Sequence, residues 1–221
     1  FEISTINNLI NQHFSNIPKS NMHTKRPIIP VPDHNETLFA IASDPEASYS
    51  NVSVIFKFDR NNNLGSINAL RDGIIFKLYN GMLGNRLNEL TQLADPPFLF
   101  ARSSKNRWVQ SKQMYNLDAV VKTNGIPVGM ETLLIEAKRV QKHGFNHSEL
   151  ERQKTKLLRN LEKLYNERDK TSSNTFKWQY KDHFLTGVSI PSIEYAFDIV
   201  KEILPGIGLY DVNQLSSKFI T

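Results

Sequence analysis

The sequence predicts an α+β domain, an antiparallel sheet covered by helices. Three observations carry that reading. Strand-like alternation of apolar and polar residues is confined to positions 38–122. One long helical pattern, 66–93, interrupts it, and from Met130 onward the periodicity is helical. Strands gathered ahead of a run of helices, with short connections within the sheet, favour an antiparallel sheet under a helical layer over alternating βαβ units.

Taken in order, residues 2–14 place Ile3, Ile6, Leu9, Ile10 and Phe14 at helical spacing, and Ile17-Pro18 stops the pattern. Residues 1–18 are expected to be the closing helix of a preceding domain. Pro18, Pro27, Pro30 and Pro32 then stand among polar residues, a density that favours extended chain, so 19–36 reads as a linker. Residues 37–221 read as one domain. Leu38–Ser43 and Val52–Phe58 have the alternation and β-branched content of strands, with 44–49 as the hairpin loop between them. The 66–93 helix sets Leu70, Ile74, Leu78, Met82, Leu83 and Leu87 on one face, and Pro96 and Pro97 are expected to end it. Three strands are predicted next, over 98–103, 107–111 and 115–122, with Lys105–Trp108 as a hairpin turn and with Gly125 and Pro127 marking the turn after the last. The remainder reads as helices over 130–140, 146–168, 174–185, 192–204 and 209–219. Gly144 suits a left-handed cap, and Asn146 with Glu149 three residues on forms a capping-box pattern.

Composition narrows the chemistry. The 221 residues contain no cysteine, which excludes disulfides, thiolate nucleophiles and cysteine-ligated zinc. The net charge is +5, but the positive residues alternate with acids along the helices instead of forming a stripe, so nucleic acid is not an expected partner. No apolar run approaches the ~18 residues of a membrane span, and no leader pattern is visible. Six histidines invite a metal search. His143 and His147 are four apart, but Gly144 and the Asn146 cap lie between them, so they straddle a helix break. A metallopeptidase site needs two histidines one turn apart on one helix and a glutamate to act on the bound water. Neither His-Glu-x-x-His nor the inverted His-x-x-Glu-His occurs. No Gly-x-Ser-x-Gly elbow exists, and Gly81-Met-Leu-Gly84 lies inside a helix, away from any strand-to-helix phosphate loop. No residue is therefore assigned a catalytic or metal-binding role, and substrate-binding residues are unassigned.

One series of segments carries a resemblance. The helix ending in Asn85-Arg-Leu, followed by Pro97-Phe and a strand, is similar to a signature of the pitrilysin/insulinase family of zinc metallopeptidases, the inverzincin type. Ala42-Ser-Asp-Pro-Glu-Ala-Ser48 with Val52–Phe58, the helix start His143–Arg152, and Tyr180–Phe197 match further segments in the same order. The resemblance implies a metallohydrolase domain like those of the mitochondrial processing peptidase and the insulinase family. Such α+β domains are duplicated and form a chamber around a peptide substrate. One domain holds zinc through the inverted motif. Another often presents an arginine and a tyrosine to the substrate, and the matching places here hold Thr91 and Phe98. Threonine carries no cation and phenylalanine no hydroxyl. The expectation is a non-catalytic domain, the second of a multidomain peptidase, with no cofactor of its own and zinc in the preceding domain. Its partners would be the other domains of the same polypeptide and a peptide substrate, and a bacterial parent would be periplasmic or of the cell envelope. A structural or assembly subunit of the same family is the alternative.

Overall fold

A computed structural model describes residues 2–18, 27, 29–60 and 65–220. It divides the chain into two units, Phe1–Pro30 and Val31–Thr221. In the first, α1 (Ile3–Phe14) is an amphipathic helix whose stripe Ile3, Ile6, Leu9, Ile10 and Phe14 is exposed. The proposed linker 19–36 lies partly outside the described residues; its 29–36 portion forms no helix or strand.

The second unit is built on β1 (Ser50–Asp59), β2 (Phe100–Arg107) and β3 (Lys112–Val121), antiparallel in the order β1-β3-β2. Between β1 and β2 runs α2 (Ile67–Leu90), and after β3 come α3 (Ile126–His143), α4 (His147–Asn166), α5 (Ser173–Thr186), α6 (Ile193–Ile203) and α7 (Leu209–Phe219). The register pairs Val52 with Ala119, Val54 with Leu117 and Phe56 with Tyr115, and sets Ala101 beside Ala119 on the other side. One sheet face therefore collects Tyr115, Leu117, Ala119 and Val121, all buried beneath α2 and α3. From α2 come Ile74, Leu78, Met82, Leu83 and Leu87, the face its periodicity predicts, with Tyr79 beside them. Leu133, Ala137 and Val140 of α3 and Val212 of α7 complete the core.

The caps follow the side chains. Ser66 accepts the Ala69 N–H at the start of α2, at 3.1 Å. At α4 the predicted capping box is complete: Asn146 Oδ1 accepts the Glu149 N–H, and Glu149 Oε2 accepts the Asn146 N–H. Gly144, at φ +69°, ends α3 in backbone territory that glycine enters cheaply.

The structure corrects four expectations. Residues 38–43 are not a strand: Leu38, Phe39 and Ile41 are exposed, and the segment has no sheet partner among the described residues. β-propensity alone cannot supply the hydrogen-bonded neighbour a strand needs. The 44–49 hairpin loop goes with it; Asp44 instead closes a local turn, its side chain accepting the Glu46 N–H. Residues 98–122 form two strands, not three. The turn falls at 108–111, where the Trp108 and Val109 N–H groups both donate to the Lys112 carbonyl, so Lys105–Arg107 is strand and the expected 107–111 strand is mostly the reversal. Helix α2 stops at Leu90, well before Pro96. Its last turn tightens, with Thr91 and Gln92 N–H donating to Asn88 and Glu89 carbonyls three residues back, and the Thr91 hydroxyl also donates to the Asn88 carbonyl. Finally, α3 begins at Ile126, ahead of the Met130 start read from the sequence. Pro127 sits in its first turn, where a missing N–H costs nothing.

Candidate functional site

The corner from Asn85 to Ala101, where α2 hands over to β2, holds the residues that the resemblance singles out. Arg86 points into the α3–α4 junction. Its Nε and Nη2 donate to the two carboxylate oxygens of Glu149 at 2.7 and 3.0 Å, and Nη2 also donates to the Gly144 carbonyl at 3.1 Å. The guanidinium lies 4.8 Å from the centre of the Phe145 ring. This two-pronged pair fixes the fork geometry that suits arginine and carboxylate. Burial pushes the Glu149 carboxyl upward, but the Arg86 bonds and the Asn146 N–H outweigh it and hold the group below its ordinary value. Thr91 closes α2 on itself, and Phe98 is fully buried in the core. Arg86 and Thr91 are thus engaged in bonds within the fold, and Phe98 fills its core.

Among the described residues, the histidines of the second unit do not assemble. His143 ends α3 and His147 opens α4, on either side of the Gly144 break. His183, on α5, uses Nδ1 to meet the Val188 carbonyl at 2.8 Å. Among the described residues no group of three or more histidine, aspartate and glutamate side chains is placed to hold a metal ion.

What the fold does present is the second face of its sheet, opposite α2 and α3. The register sets three cross-strand rows there: Asn51, Val120 and Phe100; Ser53, Asp118 and Arg102; Ile55, Asn116 and Ser104. In the middle row Ser53 donates to Asp118 Oδ1 at 2.8 Å and Arg102 Nε donates to Oδ2 at 3.3 Å. Ile55 and Phe100 are each more than half exposed on either side of it. Asn116, at the centre, is 8% exposed, and its Oδ1 has no hydrogen-bond partner among the described residues. At the far end of the face, Lys112 Nζ donates to Asp33 at 2.8 Å and to Asp59 at 2.6 Å, and Lys57 donates to the Pro32 carbonyl. These bonds tie the 31–33 segment across one end of the sheet. The Lys112 bond holds the Asp33 carboxyl below its ordinary range, and the two carboxylates raise the Lys112 ammonium above its own.

The sequence reading missed this face and both clasps. Glu149 was legible as a cap, but its partner Arg86 lies 63 residues away and nothing local announces it. Lys112 reads as an ordinary polar residue, although it is only 4% exposed. The strand expected over 115–122 lacks only the first three residues of β3, and its alternation of Asn116 and Asp118 against Tyr115, Leu117 and Ala119 marks a two-faced strand.

Comparison with known proteins places the architecture. No protein-family model matches the chain. A protein of Arabidopsis thaliana described as a zinc protease PQQL-like is 28% identical over 220 residues, covering all of this chain and 20% of that protein. The first half of the periplasmic protease PqqL from Escherichia coli superposes with a TM-score of 0.83 at 14% identity, covering 99% of this chain and 47% of that half. Against the E. coli protease in its longer structure the score is 0.84, and this chain spans 24% of it. An insulinase-family protease from Yersinia pestis gives 0.76, again at 14% identity. The chain has the fold of an insulinase-family protease domain. The structural likenesses establish the fold, and the Arabidopsis match runs end to end through a chain with no zinc motif. The chain spans a quarter or less of the Arabidopsis protein and of the E. coli protease in its longer structure.

Proposed function

We propose that this chain is a non-catalytic domain of a multidomain zinc metallopeptidase and that the uncovered sheet face walls its substrate chamber. The observation that carries the proposal is the two-faced sheet. One face is sealed under α2 and α3. The other offers exposed Ile55 and Phe100 and the Ser53–Asp118–Arg102 row. That mixture suits extended peptide, whose backbone N–H groups need acceptors and whose side chains need apolar contact. The family resemblance supports the same reading, as does the alignment with proteins several times longer.

In this account zinc and the glutamate that activates its water belong to the preceding domain, and hydrolysis is metal-assisted attack on a peptide carbonyl. This domain contributes shape and orientation. A bacterial parent would work outside the cytoplasm, as the E. coli protease does in the periplasm.

The test compares the 221-residue chain with its full-length parent on fluorogenic peptides. The parent is expected to cleave them and to lose that activity to a chelator, while the 221-residue chain leaves them intact with or without zinc. Chelator-sensitive cleavage by the chain alone would overturn the non-catalytic assignment. An inactive parent lacking the inverted zinc motif would favour the assembly-subunit alternative.

A further inference from the structure

Helix α5, Ser173–Thr186, contributes no buried side chain to the core although it is rich in aromatic residues. Phe176, Tyr180 and Phe184 fall at four-residue spacing along one side and are 41%, 62% and 86% exposed. Trp178 and Leu185, seven apart on the opposite side, are 49% and 57% exposed. Between the two stripes run Lys177 and Lys181, whose ammonium groups lie 4.9 and 4.3 Å from the Trp178 ring. The remaining arc holds Thr175, Gln179, Asp182 and Thr186.

A helix apolar along two opposite sides is patterned for burial, not for a water-facing surface. Its local support is weak as well. Fourteen residues is the length at which an isolated helix is marginal, and Phe, Trp and Tyr are among the poorer helix formers. Ser172 stands at the N-cap without a side-chain capping bond. Packing must supply what propensity does not.

We propose that α5 is the element through which this domain docks onto a neighbouring domain of the same polypeptide. The docking surface there would be apolar, with a carboxylate beside Lys177. The inference rests on the reading that the chain is part of a longer peptidase. Its support is that the Arabidopsis and E. coli proteins align over the whole of this chain while it spans only 20% and 24% of them. A covalently attached domain meets α5 at an effective concentration that a second copy in dilute solution does not reach.

Hydrogen exchange read by mass spectrometry tests it on the full-length polypeptide and on the 221-residue chain. Amides of 173–186 are expected to exchange at least about tenfold more slowly in the full-length protein, while β3 is equally protected in both. In the full-length protein, Trp178→Glu with Phe184→Glu is expected to return α5 to fast exchange and leave β3 protected. Equally fast exchange in both proteins would overturn the proposal. So would full α5 protection in the 221-residue chain at every concentration, which would mean the chain covers α5 itself. Protection that grows with concentration would do the same by pointing to a second copy. A full-length protein with a protected α5 but no peptidase activity would sink the proposed function and leave this docking element standing.

Discussion

Replacing Arg86 with alanine removes both prongs of the Glu149 pair, the bond to the Gly144 carbonyl and the stacking on Phe145. The two side chains are 20% and 13% exposed, between the surface and the buried limits for ion pairs. The expected cost is about 2–3 kcal/mol, read as a lower urea midpoint with an unchanged denaturant slope. Because Glu149 is held below its ordinary pKa, its contribution is fully present above that ordinary value and is lost as pH falls through the depressed one. Glu149→Gln should therefore flatten the acid limb of stability and leave the behaviour near neutral pH weaker but level. Phe98 gives a contrasting case. Phe98→Tyr places a hydroxyl in a fully buried apolar site and is expected to destabilise by about 1–3 kcal/mol. Thr91→Arg, at the half-exposed end of α2, is expected to be close to neutral, since a cation there meets the favourable end of the helix dipole. Equilibrium unfolding of both variants separates the two outcomes.

At the scale of elements, α3 lies against β3 so closely that a Cβ on Gly129 would stand 2.5 Å from Val121 Cγ1. Gly129→Ala is therefore expected to destabilise by about 1–3 kcal/mol despite its better helix propensity, with the loss visible as a lower thermal midpoint. Asn146→Ala removes the Glu149 N–H acceptor at α4 and should cost about 1 kcal/mol. These helices were legible in the sequence because their evidence is local. Ser66, Asn146 and Gly144 announce their own boundaries, and the α2 core face repeats at helical spacing. The strands were less legible because pairing is not local. Residues 38–43 carry strand composition without a partner, and the β2–β3 turn sits at 108–111, where no glycine or proline marks it. The uncovered sheet face became visible only once the register was known, since its rows are drawn from three separate strands.

For the molecule as a whole, the fold shared with the E. coli and Yersinia proteases is present with Arg86 turned inward. Arg86 clamps helices, Thr91 ends one, and Phe98 fills the core; in the proposed account the catalytic equipment lies in another domain of the parent. The sheet face opposite α2 and α3 is the one proposed to meet a peptide. Lys112 joins Asp33 and Asp59 at one end of it, an arrangement that should fail below the depressed Asp33 pKa and above the raised Lys112 pKa. The most direct test is steady-state cleavage of fluorogenic peptides by the full-length parent carrying Ile55→Asp and Phe100→Asp on the open face. If this face walls the chamber, KM should rise about tenfold, roughly 1.4 kcal/mol of binding, with kcat and the unfolding midpoint little changed. Unaltered KM and kcat in a folded double variant would contradict the account.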